Sequence, residues 1–351
     1  MLRLERVALE QADEGALDAF ADRNVFQTRG WIDFVARTQD AEPVLARIER
    51  DGEPVGWFTG LVVRRFGVRI LGSPFQGWMT GPMGFNLAAG IERREAVEAL
   101  VPFAFKRLGC LHLEVLDRHA GFEELEGMGA RLAEFHTFEL DLTRPEDEIF
   151  GAMSSACRRA VRKGEKEGVR VEEAHGVEFA DEYFAQLEDV FARQSLRPPY
   201  GVELVREMIR CLEPTGNLLL VRALAPHGEP IATALFPVLN EFGYFWGGAS
   251  WRRHQGLRPN EAVFWHAFRR LKERSIPLLD MGGGSDYKRK YGGRALSHPV
   301  FRKSRVPGLM TMRDLAARLY WRRATRVPRV RRHVRVPDQG PDRHGGQAQP
   351  G

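Results

Sequence analysis

The chain has 351 residues, room for about two domains. Hydrophobic residues make up 43%, enough for ordinary packed cores, and no stretch approaches the roughly 20 apolar residues that cross a bilayer as a helix. The net charge of +5 is concentrated late in the chain: residues 315–337 hold no acid but carry Arg318, Arg322, Arg323, Arg326, Arg329, Arg331, Arg332 and Arg335, so the body is close to neutral.

Cys110, Cys157 and Cys211 are far apart, with neither disulfide-framework nor zinc spacing. The first residues lack the basic-then-apolar pattern of a signal peptide. A cytoplasmic protein is expected, with the Arg-rich tail suited to peripheral contact with the inner face of a membrane. Proline, glycine, arginine, histidine and glutamine dominate after about Tyr320, and residues 329–351 read as disordered.

In chain order, a short helix is expected at 13–21 and a second from Trp31, after Phe26-Gln27-Thr28. Alternation predicts strands at 44–50, 55–64 and 68–71, with Asp51-Gly52-Glu53-Pro54 as a turn. A Gly/Pro/aromatic loop covers 72–86, helical spacing covers 91–108, and a buried-type strand covers 111–116. Thr143-Arg144-Pro145-Glu146 has the form of a capping box, and Ile149, Met153, Cys157 and Val161 continue at helical spacing. Another helix is expected from Phe179 to Phe191. Strands follow at 217–224, 231–239 and 242–248, then a helix capped by Asn260, then a strand at 277–281.

The halves echo each other. Gly52-Glu53-Pro54-Val55 matches Gly228-Glu229-Pro230-Ile231, and Leu71-Gly72-Ser73 parallels Gly247-Gly248-Ala249. Duplication of one α/β unit is the expected explanation, with units at 1–142 and 143–320 and a basic tail at 321–351.

Three segments can carry chemistry. The first is Asp280-Met281-Gly282-Gly283-Gly284-Ser285-Asp286-Tyr287-Lys288-Arg289-Lys290-Tyr291-Gly292-Gly293. A strand ending in three glycines lets a ligand approach the backbone and can form an anion nest, although composition equally allows a plain turn. The second is the helix bearing Arg158, Arg159, Arg162 and Lys163, either an anion-binding face or a solvated one. The third is Arg253-His254-Gln255-Gly256-Leu257-Arg258-Pro259-Asn260, which enters a helix whose free N–H groups attract phosphate. No histidine, cysteine or carboxylate spacing suggests a metal, and no Gly-x-Ser-x-Gly or Walker pattern occurs.

These motifs, in this order, resemble the Fem family of aminoacyl transferases and the related Fem-like acetyltransferases of cell-envelope and exopolysaccharide synthesis. The likeness rests on Phe26-Gln27-Thr28-Arg29-Gly30-Trp31, the basic helix before Gly168-Val169, Tyr244-Phe245-Trp246-Gly247-Gly248, Arg258-Pro259, Asp280-Met281-Gly282-Gly283 and Tyr287-Lys288-Arg289-Lys290-Tyr291-Gly292. It implies tandem GNAT-like domains, α/β in class, each a mixed central sheet flanked by helices. It also implies N-acyl transfer to an amine of a small-molecule or lipid-linked envelope precursor, such as a peptidoglycan precursor. Acyl-CoA is the expected co-substrate, since Arg253-x-x-Gly256 keeps part of an acetyl-CoA loop pattern. Aminoacyl-tRNA is the alternative, but the helical hairpin of some Fem enzymes has no room between Gly164 and Glu178. A third reading is a non-catalytic binding protein whose tail docks on nucleic acid or anionic lipid.

On this resemblance Lys288, Asp280 and Asp286 are the catalytic candidates, with Lys288 expected to stabilise the oxyanion. Arg158, Arg159, Arg162, Tyr244, Trp246, Tyr287 and Tyr291 would bind the acceptor, its phosphates falling to the three arginines. Arg253, Gly256, Arg258, Asn260 and Gly283 would hold the cofactor.

Overall fold

The computed structural model describes residues 1–65, 67–75, 79–283, 286–313 and 315. Gly284, Ser285 and the tail expected at 321–351 lie outside the described residues.

The first half contains β1 (Leu2–Val7), α1 (Glu14–Asp18), α2 (Arg29–Gln39), β2 (Glu42–Arg50), β3 (Glu53–Arg65), β4 (Val68–Ser73), β5 (Phe85–Leu87), α3 (Arg93–Pro102), β6 (His112–Leu116), α4 (Phe122–Leu125) and β7 (Arg131–Asp141). The second contains α5 (Glu146–Ala152), α6 (Ser155–Lys166), β8 (Arg170–Ala174), α7 (Phe179–Ala192), α8 (Val202–Leu212), β9 (Leu218–Leu224), β10 (Pro230–Leu239), β11 (Phe242–Tyr244), β12 (Gly247–Ser250), α9 (Pro259–Glu273), β13 (Leu278–Asp280) and β14 (Arg294–Ser304).

Among the described residues these strands form one mixed sheet, in the order β1-β2-β3-β4-β6-β14-β7-β13-β11-β10-β9-β8, with β5 on β3 and β12 on β10. The late strand β14 lies between β6 and β7, antiparallel to both, and β7 pairs in turn with β13. A cut between 142 and 143 would therefore place β7 and β14 on opposite sides of their shared ladder. The halves also share a core. Phe26, Trp31, Phe34 and Val35 pack in one cluster with Tyr183, Leu187, Val205, Met208 and Ile209. Burying a side chain of this size contributes about 1.5–3 kcal/mol, so the seam is a substantial part of the stability.

The duplicated turns are both hairpin turns, joining β2 to β3 and β9 to β10. Aligning Gly56 with Ala232 puts β5 on β12, through Gly56↔Leu87 and Ala232↔Ser250. It puts β4 on β11, through Val62↔Leu71 and Val238↔Gly243. The expected match of Leu71–Ser73 with Gly247–Ala249 is thus corrected: Leu71 corresponds to Gly243. The first copy spends residues 74–84 where the second has only Phe245 and Trp246.

Three local expectations change. Thr143 does not cap a helix; its hydroxyl donates to Asp141 at 2.6 Å, and α5 starts after an extended Pro145. The helical run through Ile149–Val161 breaks at Met153–Ser154, because Ser154 recaps α6 by accepting from the Cys157 N–H at 3.2 Å. Asn260 is not a cap either. Arg258, in left-handed conformation at φ 58, precedes a helix that begins at Pro259, whose fixed φ suits a first helical position.

Candidate acyl-transfer site

Strands β11 and β13 run parallel for three residues, Phe242↔Leu278 through Tyr244↔Asp280. They then part. The Phe245 N–H still donates to the Asp280 carbonyl at 2.8 Å, but the Trp246 N–H turns to Leu235 and the Met281 N–H to Phe138. The separation leaves a notch at the carboxyl ends of the two strands. Leu279, Met281 and Phe245 face α9 and its core, while Phe242, Tyr244 and Trp246 face the seam between the copies.

The glycine loop is closed from within. Lys288 is buried, and its ammonium donates to the carbonyls of Met281, Gly282 and Gly283, the last two at 2.5 and 3.2 Å. Burial pushes its pKa down to about 8, opposed by the nearby Asp280 carboxylate, so it is protonated at neutral pH. With all three donors taken, Lys288 organises the loop, and the expectation that it donates to an oxyanion does not fit this arrangement. Gly282 has φ +62, and a Cβ there would lie 2.8 Å from the Tyr244 hydroxyl. Gly282→Ala is expected to cost roughly 1–3 kcal/mol by strain and contact, measurable by urea unfolding.

Asp280 is 1% exposed. One oxygen accepts from the Thr137 hydroxyl and from the Gly282 N–H at 2.6 Å. Burial, reinforced by nearby Glu139, outweighs these bonds and raises its pKa to about 6. Glu139 lies opposite in the β13–β7 register and accepts from Arg118 at 2.9 Å. Tyr244 is partly exposed, packs edge-on to Phe26 at 5.0 Å, and has its hydroxyl pKa raised by burial and by Asp280. Thr137, Glu139, Arg118 and His298 were not among the expected site residues. They sit on β7, β14 and the turn after β6, which only the tertiary register brings to Asp280.

Several other candidates move. Tyr291 is 1% exposed and packs on Phe264 at 4.4 Å, so it belongs to the core and not to an acceptor groove. Trp246 is likewise buried, against Tyr200 at 5.4 Å, with no partner for its indole N–H among the described residues. Asp286 has a side chain 94% exposed and only a loose ion pair with Arg289 at 3.8 Å, so it stands in solvent. Tyr287 is 49% exposed at the loop surface, and Gly283 is exposed at the notch.

The segment entering α9 is open. Arg258 and Gly256 are exposed, and a Cβ on Gly256 would meet nothing within 4 Å. Asn260, in the first helical turn, presents its N–H to the same end, where the dipole of a 15-residue helix favours phosphate. Arg253 is already engaged, bonded to Glu229 and stacked on Trp251 at 4.5 Å. On α6, Arg158 is also occupied: it donates to the carbonyls of Gly151 and Met153, closing the end of α5. Arg159 and Arg162 remain exposed, Arg162 over the Phe150 ring at 5.4 Å. The Ser154 N–H donates to the Lys290 carbonyl at 2.9 Å, so the basic helix and the glycine loop are tied together.

The first copy holds a counterpart. Gly72↔Glu114 in the β4–β6 pair corresponds to Tyr244↔Asp280, so Glu114 stands where Asp280 stands. Glu114 is fully buried, paired with Arg313 at 2.5 Å and near His112 at 3.1 Å. The later chain covers this place, while the notch at Asp280 is left open at Gly283.

Residues 152–289 match the family model described as an acetyltransferase (GNAT) domain. The fold is similar to that of FemX, with a TM-score of 0.70 and 14% identity, covering 91% of this chain and 100% of that one. It is also similar to L-PGS from Bacillus licheniformis (TM-score 0.54, 13% identity, 88% of this chain and 96% of that one). A tandem GNAT protein from the clavulanic acid biosynthesis pathway gives 0.51 at 12% identity, covering 88% and 100%. No curated protein matches the chain in sequence. Residues 152–289 are thus similar to a GNAT acetyltransferase domain, and the chain as a whole has the fold of these solved structures. Among the described residues no group of side chains could hold a metal ion, and no helix is long and apolar enough to cross a membrane.

Proposed function

We propose that the protein moves an acyl group from acyl-CoA to a primary amine on a cell-envelope or polysaccharide precursor. The observation that carries this reading is the notch between the parting ends of β11 and β13. Cofactor phosphates would lie at Asn260 and Arg258, with the acyl carbon at Gly283. The acceptor would come from the opposite side, past Tyr244 and Tyr287, with Arg159 and Arg162 available to phosphates. Deprotonating a lysine-like amine at pH 7 costs about 4–5 kcal/mol, and alignment of two bound reactants supplies roughly 7–11 kcal/mol. Positioning therefore supplies most of the rate.

The resemblance of the sequence motifs to the Fem family supports an envelope precursor as acceptor. The tail would add about 1 kcal/mol of attraction per cation near an anionic leaflet. An aminoacyl-tRNA donor is the second reading. The short path from α6 to α7, occupied by β8, offers no helical hairpin for tRNA.

Thermal unfolding with acetyl-CoA, longer acyl-CoAs and charged tRNA tests the donor. A saturating acyl-CoA should raise Tm by about 5 °C. A rise with charged tRNA alone would transfer the proposal to the second reading, and no rise with any of them would remove it.

A further inference from the structure

Beside Asp280, on the face toward the first copy, three side chains from different elements meet. Glu139, His298 and Arg118 have side chains only 9%, 12% and 15% exposed. Arg118 donates to Glu139 Oε1, and His298 Nε2 stands 3.9 Å from that same oxygen, beyond hydrogen-bond reach. His298 Nε2 and Arg118 Nε are buried with no hydrogen-bond partner among the described residues.

The nearby charges are matched: Arg118 pairs with Glu139, the buried Lys288 ammonium lies in the field of Asp280, and Arg93 pairs with Asp117 at 3.1 Å. Burial lowers the His298 pKa and favours its neutral form. Glu139 Oε1 and an unprotonated His298 Nε2 then face each other as two acceptors with no donor between them, an arrangement that a group with hydrogens to donate relieves. The gap between His298 Nε2 and Glu139 Oε1 suits one: a nitrogen at about 2.8 Å from each would make two charge-assisted bonds. An ammonium supplies a donor to each acceptor, whereas a hydroxyl has only one to give.

We infer that Glu139 and His298 form the seat of the acceptor's primary amine, with Arg118 holding Glu139 in place. This rests on the acyl-transfer reading of the adjoining notch. The ammonium docks on Glu139 and gives one proton to His298 Nε2. The freed nitrogen bonds to the thioester carbonyl carbon, and the carbon–sulfur bond breaks. The departing thiolate takes the second amine proton, and His298 returns its own to water.

The full chain, labelled with 13C in its histidine rings, tests this by NMR, with the His298 signal assigned through His298→Gln. n-Butylammonium should shift the His298 signal and lower its titration midpoint, because a bound cation opposes imidazolium. n-Butanol should do neither, and Glu139→Gln should weaken the n-butylammonium response at least tenfold. A wild-type His298 signal that ignores n-butylammonium, or answers n-butanol equally, overturns the inference, and that comparison needs no variant to fold. So does an unchanged response in a folded Glu139→Gln protein. In thiol release from acetyl-CoA with n-butylamine as acceptor, His298→Gln should lower kcat about tenfold or more, leave KM for the amine unchanged, and regain rate at high pH. Unaltered kcat would remove His298 as the proton acceptor. Because the NMR experiment contains no CoA, failure of the donor reading and failure of this seat are separately visible.

Discussion

Lys288→Met is expected to lower acyl-transfer turnover about a hundredfold while leaving the remainder of the sheet intact. Methionine keeps an apolar stem near Phe245, which the Lys288 ammonium overlies at 5.4 Å. It removes every donor to the carbonyls of Met281, Gly282 and Gly283. Hydrogen bonds to a charged group contribute about 1.5–3 kcal/mol each, and carbonyls left without partners reopen the loop until water reaches them. A net stability loss of about 3 kcal/mol is expected, with the larger consequence at the notch, since displacement of the reacting atoms by an ångström can cost about a hundredfold. Thiol release measures turnover, and amide exchange at Gly282 and Gly283 measures the loop. Lost turnover with unchanged exchange would show that the ammonium acts on the reacting groups and not through the loop.

Asp280→Asn should make the protein more stable at pH 8 and slower at every pH. The folded state raises the Asp280 pKa to about 6 from an ordinary 3.8, so the fold prefers the protonated acid. That preference contributes fully below about pH 4 and is lost as pH rises through 6. A shift of two units corresponds to about 3 kcal/mol, and at pH 8 the buried carboxylate opposes folding by that order. Asparagine can accept from Thr137 and Gly282 without the charge. Urea unfolding should therefore show a gain of about 2–3 kcal/mol for the variant at pH 8 and almost none at pH 4. Equal gains at both pH values would mean that Asp280 does not titrate in the fold. Turnover should fall tenfold or more, because the Asp280 carboxylate holds the Gly282 N–H and so orders the backbone at the notch.

The legible parts of the sequence were those set by local chemistry. Gly-Glu-Pro marks both hairpins because such turns need little beyond their own residues. The segment from Asp280 to Gly293 was found through its glycines and cations, but the directions of its side chains were not. Asp286–Tyr291 forms a 3₁₀ turn, in which positions three apart eclipse, so Lys288 and Tyr291 both point inward. A Lys-x-x-Tyr spacing after a glycine run was the available signal. Strands β7 and β14 escaped because they read as polar: Glu134, His136, Ser297 and His298 interrupt any apolar alternation. These strands are sheltered by one another's backbones and by the register with β13. Glu139 and His298 therefore could not be connected to Asp280 from sequence spacing alone.

The position of β14 also orders events during synthesis. When β7 leaves the ribosome, the strand that belongs between it and β6 has not been made. At ordinary elongation rates the gap is roughly ten to thirty seconds. Over that time the nascent first copy carries the two edges that β14 will fill, and a further edge on β7 that awaits β13; such edges invite pairing with other chains. Threading β14 into the interval closes both edges and brings His298 beside Glu139 in one event. The step that protects the chain from aggregation is thus the same step that assembles the Glu139–His298 pair.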